Sequence, residues 1–537
     1  MARALKCAAA FPAVALIILG AACGDGDSGG SSSPAPSGAS PRIALSGTPA
    51  PPATVDLSSG TEVTSYAARD GGDLINVGAT LALGDFNDDG DMDALIGAPQ
   101  GDGPGNKRED AGEAYVVFGP LDEGRELGAG GADVTVFGAA AGDGLGSSTL
   151  AGDLSGDGVD DVIIGAPGVT AGFDPRSDQG RVYVFYGNRD FGKDAERDLT
   201  EDVFDFTVTG AEGFSRFGHA LAMGDVNGDS VQDLVGGAPF AGRKPGTPPG
   251  GERTALGEVY VIFGSGDLTG EMNIARDEFD VLLSGAIAFG QFGASVGAGD
   301  VTGDGTDDIV VGAYRAADDA QGVGSGFAYL FEGNSNLEGR LSVQDGDQDS
   351  TITGPALSSL GYPLVVADFD GDGTADIALG AQLESAGLLD RQGAVHIVLG
   401  SETFGGDVDA GEAATATITG SITGELFPSA LGAADVDGDG TADLVAGSAL
   451  AGAADRPGAG VVYVFTSLGE EPKALDLSTD TAPITILGAA SDDRVGGAVA
   501  GGSLSDDARG LLLLAAGAGA GNGDQNTGVV YVVPVNR

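Results

Sequence analysis

Short apolar segments separated by polar, glycine-rich turns recur along the chain from residue 60 to its end. The most regular of them occurs seven times, and its versions read EAYVVFG, RVYVFYG, EVYVIFG, FAYLFEG, AVHIVLG, VVYVFTS and VVYVVPV. β-branched and aromatic residues at this density favour strands. No stretch beyond the amino terminus shows sustained helical periodicity. The pattern therefore predicts an all-β fold.

The spacing of acidic loops divides the chain into repeats. Six loops begin at Asp85, Asp153, Asp225, Asp300, Asp368 and Asp435, so the steps are 68, 72, 75, 68 and 67 residues. One further step of 68 residues reaches Ser503, where the apolar run persists and the acids are lost. Seven repeats of roughly 70 residues, each with four short apolar segments, predict a seven-bladed β-propeller with four antiparallel strands per blade.

Closure of this ring involves both ends of the chain. The sequence ends just after the third strand of the seventh repeat, at Val530–Val535, so that blade lacks its outer strand. The segment Glu62–Ala67 (EVTSYA) stands where later repeats place their outer strand. We predict that this N-terminal strand completes the last blade, within a propeller that spans residues 60–537.

The first residues of the chain have the pattern of an export signal. Arg3 and Lys6 precede an apolar run from Ala8 to Leu19, which is too short to span a bilayer. Small residues and Cys23 follow, so the segment resembles a bacterial lipoprotein signal, although Gly20 stands where that family prefers leucine. The resemblance implies a signal peptide over 1–22 and lipidation of Cys23, with simple secretion as the alternative. Residues 23–59 are then expected to form a flexible Gly/Ser/Pro tether, and the protein is expected outside the cytoplasm, anchored by lipid at the outer membrane or cell surface or else secreted.

The formal charge of −55 excludes one class of partner. Nucleic acid binding needs clustered Lys and Arg, so no nucleic acid partner is expected. We expect contact with a membrane only through the lipid anchor. The other cysteine, Cys7, lies inside the signal, so the mature chain has no internal disulfide.

The acidic loops have the composition of cation sites. The fifth loop reads DFDGDGTADIALGA and places carboxylates at alternating residues, followed by a glycine. Ca²⁺ binds six to eight oxygens at roughly 2.3–2.6 Å, and alternating positions in one loop can supply them. Mg²⁺ fits less well because it requires stricter octahedral geometry. Solvated Asp/Gly hairpins are the structural alternative, and we assign that role to the acidic turns at Asp345–Asp349 and Asn522–Asn526, which lack the loop register.

Two further motifs flank each acidic loop. An aromatic residue precedes glycine before the first strand, as in Phe217-Gly218 and Phe292-Gly293, and the second strand ends in Gly-Ala-Pro, as in Gly97–Pro99, Gly165–Pro167 and Gly237–Pro239. This combination resembles the FG-GAP repeat, which implies the seven-bladed propeller of integrin α subunits and of bacterial surface proteins. Individual repeats depart from it, for example at Tyr314 and Pro428.

The resemblance also implies a ligand set of up to six Ca²⁺ ions, with side chains at loop positions 1, 3, 5 and 9 and a main-chain carbonyl at position 7. The third loop departs from the glycine pattern at Ser230. The implied ligands are Asp85, Asn87, Asp89, Asp93 and the carbonyl of Asp91 in the first loop; Asp153, Ser155, Asp157 and Asp161 in the second; Asp225, Asn227, Asp229 and Asp233 in the third; Asp300, Thr302, Asp304 and Asp308 in the fourth; Asp368, Asp370, Asp372 and Asp376 in the fifth; and Asp435, Asp437, Asp439 and Asp443 in the sixth.

The sequence favours a binding module over an enzyme. It contains no tryptophan, its two histidines are His219 in a bend and His396 in a strand, and no nucleophile motif is present. We expect a non-enzymatic adhesion or protein-interaction module, with no catalytic residues, that binds an unknown protein or glycan as a monomer. The alternative is a secreted hydrolase or lyase that uses the propeller funnel. The insertion Phe240–Gly257, on the face opposite the acidic loops, is a candidate partner site.

Overall fold

Seven β-sheets make up the part of the chain that the computed structural model describes. The described residues are 53–59, 64–67, 80–127, 130–169, 178–201, 203–211, 213–242, 255–317, 324–385, 391–453, 455–466, 468, 473–503, 510–516 and 528–535. Six of the sheets have five strands and one has four. Within these described residues, helical structure is limited to the short turns Leu57–Ser59, Phe191–Lys193, Leu199–Glu201, Ile274–Arg276 and Ala410–Ala413.

Each sheet is a blade whose first strand lies innermost. The first strands of neighbouring blades contact one another around a closed ring that returns from the seventh to the first. In blade order these first strands are Thr80–Gly84, Ser148–Gly152, Ala220–Gly224, Ser295–Gly299, Leu360–Ala367, Ala430–Ala434 and Ala498–Ser503. Their small residues allow close approach near the axis. The prediction of a seven-bladed propeller is confirmed.

The next three strands of each blade follow in antiparallel order. The second strands are Asp93–Ala98, Asp161–Ala166, Asp233–Ala238, Asp308–Ala313, Asp376–Ala381, Asp443–Ser448 and Gly510–Ala516. The third strands are Glu113–Val117, Arg181–Phe185, Glu258–Ile262, Phe327–Phe331, Ala394–Val398, Val461–Phe465 and Val529–Val535. The fourth strands are Val134–Phe137, Phe206–Thr209, Val281–Ser284, Ser350–Thr353, Ala416–Thr419, Ile484–Leu487 and, for the last blade, Thr64–Ala67.

The prediction of four strands per blade needs a correction, because six blades gain a fifth, parallel strand. In five of these blades that strand lies in the connection between the third and fourth strands of the following blade, and in the sixth blade it comes from the N-terminal segment, so each of these edges is covered by the following blade. Covering an edge satisfies backbone groups that would otherwise be exposed there. The fifth strands are Glu196–Asp198, Gly270–Asn273, Gly339–Ser342, Gly406–Asp409, Lys473–Asp476 and Ala53–Asp56.

The N-terminal segment closes the ring in two places. Thr64–Ala67 pairs antiparallel with the last strand, in the register Thr64↔Val532 to Ala67↔Val529, as predicted. Ala53–Asp56 pairs in parallel with Ile484–Leu487 of the sixth blade. The expected flexible tether over 23–59 includes these residues, and the structure describes 53–59 as a strand followed by a short turn. The expectations for the signal, for Cys23 and for the rest of the tether lie outside the described residues.

The two sequence motifs meet at the interface between blades. The FG glycine of one blade donates its N–H to the GAP glycine carbonyl of its own blade, as from Gly218 to Gly237 at 3.1 Å. Its carbonyl oxygen faces the GAP glycine of the preceding blade, and a Cβ built on Gly165 would lie 2.3 Å from the oxygen of Gly218. A hydroxyl adds a second contact, since Ser148 Oγ donates to Gly218 O at 2.7 Å. The FG-GAP motif thus acts as a close-packed seam between blades.

The FG aromatic anchors the third, fourth and sixth blades from inside. Phe217, Phe292 and Phe427 are fully buried. Phe217 meets Tyr260 edge to face at 5.8 Å, and the ring of Phe427 lies 6.0 Å from a third-strand tyrosine in the same manner. Such pairs add roughly 0.5–1.5 kcal/mol beyond area burial. In the described part of the chain, no helix is long and apolar enough to cross a membrane.

Candidate metal centres

The six acidic loops join the first and second strands and lie together on one face of the ring. Loop position 1 follows the last residue of each first strand, and position 9 is the first residue of each second strand. Because all first strands run in the same sense, every loop emerges at the same end of its blade. The structure therefore places the predicted ligands of each loop within one short connection and the six loops in a circle.

The carboxylate at position 1 organises the turn. Its Oδ2 accepts the backbone N–H of position 6 in all six loops, as from Gly90 to Asp85 at 2.9 Å and from Gly373 to Asp368 at 3.0 Å. Position 6 has a left-handed backbone, with φ of 91° at Gly90 and 94° at Gly373. Ser230 takes the same conformation at 72° and makes the same bond to Asp225. The departure at Ser230 thus leaves the loop geometry intact.

Positions 3 and 5 form successive turns of the same kind. At position 5 the Oδ1 atom accepts the N–H of position 7 in every loop, as from Thr374 to Asp372 at 2.8 Å. In the first, third, fifth and sixth loops the side-chain oxygen at position 3 accepts the N–H of position 5, as from Asp372 to Asp370 at 3.0 Å. In the second and fourth loops position 1 accepts that N–H instead, as from Asp304 to Asp300 at 2.9 Å. These bonds fix the conformation of the polar side chains along each loop.

The aspartate at position 9 is buried and bridges two parts of its blade. Asp93 has no exposed surface; its Oδ2 accepts the N–H of Phe86 at 2.9 Å and its Oδ1 that of Gly119 at 2.8 Å. The same pair of contacts recurs at Asp161, Asp233, Asp308 and Asp376. Burial raises the pKa of Asp93 to about 7, against the opposing effect of these backbone donors, and neighbouring loop carboxylates add to the rise. A cation beside it would favour the ionised form instead.

The donor chemistry fits a hard cation. In the fifth and sixth loops three carboxylates can place one oxygen each within 4.8 Å of one another, and these are Asp368, Asp370 and Asp376, and Asp435, Asp437 and Asp443. The position-5 aspartates belong to neither trio. The first four loops carry an amide or hydroxyl oxygen at position 3. Every donor is an oxygen, which suits Ca²⁺ and not a soft transition metal. The described seventh blade includes Ser503, while residues 504–509 of its loop lie outside the described part.

Sequence reasoning missed the residue at position 8, which links neighbouring loops. Asp160 Oδ2 accepts the N–H of Asp85 in the preceding blade at 2.9 Å, and Asp307 Oδ2 does the same for Asp225 at 2.9 Å. Gln232 makes the equivalent bond to Asp153 at 2.9 Å. The signal was a second polar residue directly before position 9 in these loops. Neighbouring sites are thereby fixed relative to one another.

The two histidines have structural surroundings. His396 is 2% exposed; its Nε2 lies 2.7 Å from Glu384 Oε2 and its Nδ1 lies 3.5 Å from the hydroxyl of Thr417. Burial lowers the pKa of His219 to about 4, with a smaller contribution from the charge of Arg216. His396 therefore packs within its blade, as expected for a third-strand position.

The comparison with known families agrees with this architecture. The FG-GAP repeat profile matches residues 77–117, 145–185, 217–262, 292–331, 360–398 and 427–465. This chain is an FG-GAP repeat protein. Each matched segment contains one acidic loop with its first, second and third strands, so the family resemblance seen in the sequence is confirmed.

Named relatives share part of this propeller. The chain is 32% identical over 222 residues to phosphatidylinositol-glycan-specific phospholipase D of Bos taurus, covering 40% of this chain and 24% of that protein. It is 33% identical over 249 residues to integrin alpha-PS2 of Drosophila melanogaster, covering 45% of this chain and 15% of that protein. The match thus spans a quarter or less of these relatives' own length. A solved rhamnogalacturonan lyase of Bacillus licheniformis aligns over 88% of this chain and 76% of that one, at 12% identity and a TM-score of 0.39.

Proposed function

We propose that this FG-GAP propeller is a calcium-stabilised module that acts outside the cytoplasm and binds another macromolecule without catalysing a reaction. The observation that supports the metal most directly is the repetition of one oxygen-lined loop, with one set of backbone bonds, in six successive blades. Asp/Gly hairpins that serve only as solvated turns do not need four oxygen side chains in a common register. The binding role draws on the integrin-like relatives and on the sparse catalytic side chains of the sequence.

Ca²⁺ would act as a structural clamp in each loop. Side chains at positions 1, 3, 5 and 9 would hold it, and it would offset the mutual repulsion of carboxylates that the fold brings close together. Position 1 ends the first strand and position 9 begins the second, so a shared ion would tie these strands. A ligand that binds only the folded state adds roughly 2.7 kcal/mol per site at a hundredfold excess over its Kd.

Location outside the cytoplasm follows from the sequence pattern at residues 1–23. Lipidation of Cys23 would hold the propeller at a membrane surface, and cleavage without lipidation would release it. Either setting provides Ca²⁺ at concentrations that fill sites of modest affinity.

The activity of the phospholipase D among the relatives is not inferred for this chain, because the match covers only 24% of the length of that enzyme. Outside the metal loops, the described buried carboxylates are engaged by nearby groups. Glu425, for example, accepts the N–H groups of Ser421 and Ile422 at 2.5 and 2.8 Å. These contacts support a structural role for such acids.

Thermal unfolding with and without a chelator tests the metal proposal. We expect removal of Ca²⁺ to lower the melting temperature, and re-addition of Ca²⁺ but not equimolar Mg²⁺ to restore it. Equal melting curves in all three conditions would refute it. The binding role is tested separately, by pull-down from exposed cell-surface material with the loaded and the stripped protein.

A matched pair of variants locates the effect. Asp372→Asn keeps the oxygen that accepts the N–H of Thr374 but removes one negative charge from the fifth loop. Asp345→Asn removes the same charge from an exposed acidic turn outside the loops. Equilibrium dialysis should show about one bound ion fewer for the first variant and no change for the second. Equal loss from both would mean that Ca²⁺ binds only to the diffuse negative surface.

A further inference from the structure

The face opposite the metal loops carries a concentrated set of exposed apolar side chains. Seven large hydrophobic residues are exposed in the described part of the chain, and six of them lie in the loops of this face in blades 3 to 6. We name this set the apolar sector, and it consists of Phe214, Phe289, Leu357, Leu383, Ile422 and Leu450. Its members come from the connections between the fourth strand and the next first strand, and between the second and third strands.

Hydrogen bonds join these two kinds of loop into one surface. Leu383 N donates to Ser358 O at 3.0 Å, next to Leu357. Arg315 N donates to Gly290 O at 3.2 Å, next to Phe289. The equivalent bond beside Phe214 runs from residue 240 to residue 215 at 3.4 Å. The sector is therefore built on a supported backbone in three successive blades.

Three of these side chains occupy a backbone conformation that does not favour them. Phe214, Phe289 and Leu357 have φ of 64°, 61° and 64°, in the left-handed region that bulky residues rarely adopt. The equivalent positions in two other blades are Gly142 and Gly424, with φ of 83° and 76°.

The three side chains gain little burial in return, since they remain 45%, 64% and 63% exposed. Glycine would adopt the left-handed conformation of this turn with less strain, so the fold itself does not require these large residues. Strained, exposed large apolar residues at matching positions in adjacent blades are explained by contacts outside the chain.

The charge of this region differs from that of the whole protein. The loops 285–291 and 354–359 contain no acidic residue, and the exposed arginines Arg315 and Arg391 lie in other loops of the same face. The guanidinium of Arg216 lies 5.3 Å from the ring centre of Phe240 and pairs with Asp178 at 3.5 Å. Carboxylates on a partner would complement Arg315 and Arg391 beside the apolar side chains.

A cavity beside the sector adds an anchoring point. It has a volume of about 450 Å³ and lies between Gly213, next to Phe214, and the outer strands of the third blade. Tyr260 and Phe279 line it, and the guanidinium of Arg340 lies 5.0 Å from the ring centre of Phe279 and pairs with Asp277 at 2.6 Å. Aromatic walls suit an apolar side chain, and such pockets commonly anchor protein interfaces.

We propose that the apolar sector binds a protein segment that combines acidic and apolar side chains. This inference rests on the proposed binding role and specifies its surface and its partner chemistry. An anionic bilayer fits less well because it would extend under the whole face. Over the first, sixth and seventh blades that face exposes carboxylates, including Glu109, Asp110, Asp455 and Asp492, which would repel it. A second copy of the chain fits less well because both copies carry the charge of −55.

Panning of a random-peptide phage library against the calcium-loaded protein tests the proposal. The test variant combines Phe214→Gly, Phe289→Gly and Leu357→Gly. The control variant is Val203→Ser, which alters the one large hydrophobic residue that is exposed outside the sector in the part of the chain that the structure describes. We expect enriched peptides to be acidic and apolar, and to bind the triple variant at least roughly tenfold more weakly than the wild type. Val203→Ser should bind them as the wild type does.

Thermal unfolding of the triple variant separates binding from folding. Glycine adopts the left-handed conformation without strain, so we expect the melting temperature to stay the same or rise. A large drop would make these residues structural and would overturn the proposal.

The remaining outcomes are also decisive. If the enriched peptides bind the wild type and the triple variant equally, the apolar sector is not the binding surface, although the proposed binding role still stands. Failure to enrich any peptide above bare resin would overturn a peptide-binding surface, and the cell-surface pull-down then decides the broader role. If the wild type but not the triple variant sediments with vesicles of equal phosphatidylglycerol and phosphatidylcholine, the partner of the sector is a membrane and not a protein segment.

Discussion

The seam between blades predicts the effect of a single added methyl group at Gly237. A Cβ there would lie 2.2 Å from the carbonyl oxygen of Gly293 in the next blade. Ordinary contact begins near 3.4 Å, so the two backbones would have to separate by about 1 Å. Gly97, Gly165 and Gly312 stand in the same relation to their neighbours, at 2.3, 2.3 and 2.1 Å from the facing oxygen.

We expect Gly237→Ala to destabilise the propeller by about 1–2 kcal/mol. Overpacking of a rigid contact costs roughly 1–3 kcal/mol, and the lower entropy of the unfolded alanine chain returns roughly 0.4–1 kcal/mol of that. Shifting the seam would also strain the bond from Gly218 N to Gly237 O, at 3.1 Å. The measurement is the midpoint of chemical unfolding in the presence of saturating Ca²⁺.

Gly405→Ala is the matched control. A Cβ at Gly405 meets nothing within 4 Å, and the residue does not need a left-handed backbone. It should unfold at the wild-type midpoint or slightly above it. If Gly237→Ala unfolds together with the control and the wild type, then the seam is not close-packed and our account of the FG-GAP motif is wrong.

Two further changes test the contacts that join blades. Ala220→Ser places a hydroxyl where other blades use one to donate to the facing carbonyl, which here belongs to Gly293. The variant should unfold at a higher midpoint, with a free energy of unfolding raised by about 0.5–1.5 kcal/mol. No gain would show that the geometry of this seam differs. Arg456→Ala removes two hydrogen bonds of 2.7 Å to Asp56, which hold the N-terminal strand on the sixth blade. We expect the free energy of unfolding to fall by about 0.2–1 kcal/mol, as for other partly exposed ion pairs. The hydrogen bonds from Arg456 hold the pKa of Asp56 below its usual range. This contribution is therefore present above about pH 4 and disappears as the pH falls further, so wild type and Arg456→Ala should converge in acid. A constant difference between them across that range would contradict the assignment.

Local patterns were enough to predict the blades and the acidic loops. Strand alternation, turn residues and loop spacing are encoded within one repeat, and the structure places positions 1 and 9 at the strand ends where the register put them. The closing strand was also predictable, because the last repeat visibly lacks an outer strand and Thr64–Ala67 had no other place. Metal occupancy and the partner remain predictions.

The fifth strands were missed because they are short and pair with another repeat. Their sequences vary, from ERD at Glu196–Asp198 to GEMN at Gly270–Asn273. A usable signal does exist, since several of them end in an acidic or amide residue that is followed by an apolar one, as in Asp56-Leu57, Asp198-Leu199 and Asp476-Leu477. The acid or amide accepts the N–H two residues later, and the apolar residue turns inward.

Contacts between repeats were not predictable from sequence alone. The bond from Asp85 N to Asp160 depends on how far adjacent blades are rotated, and no spacing within one repeat reports that. The apolar sector was missed for a similar reason. Phe214 and Phe217 stand three residues apart in the same turn, yet one is 45% exposed and the other fully buried.

The double attachment of the N-terminal strands sets the order in which the protein can finish folding. Asp56 and Arg456 are 400 residues apart in sequence, and Thr64 pairs with Val532, which belongs to the third strand of the seventh blade. The first propeller residues to be synthesised must therefore wait for the seventh blade before they gain their partners. If the chain is exported as proposed, the ring can close only after the seventh blade has crossed the membrane.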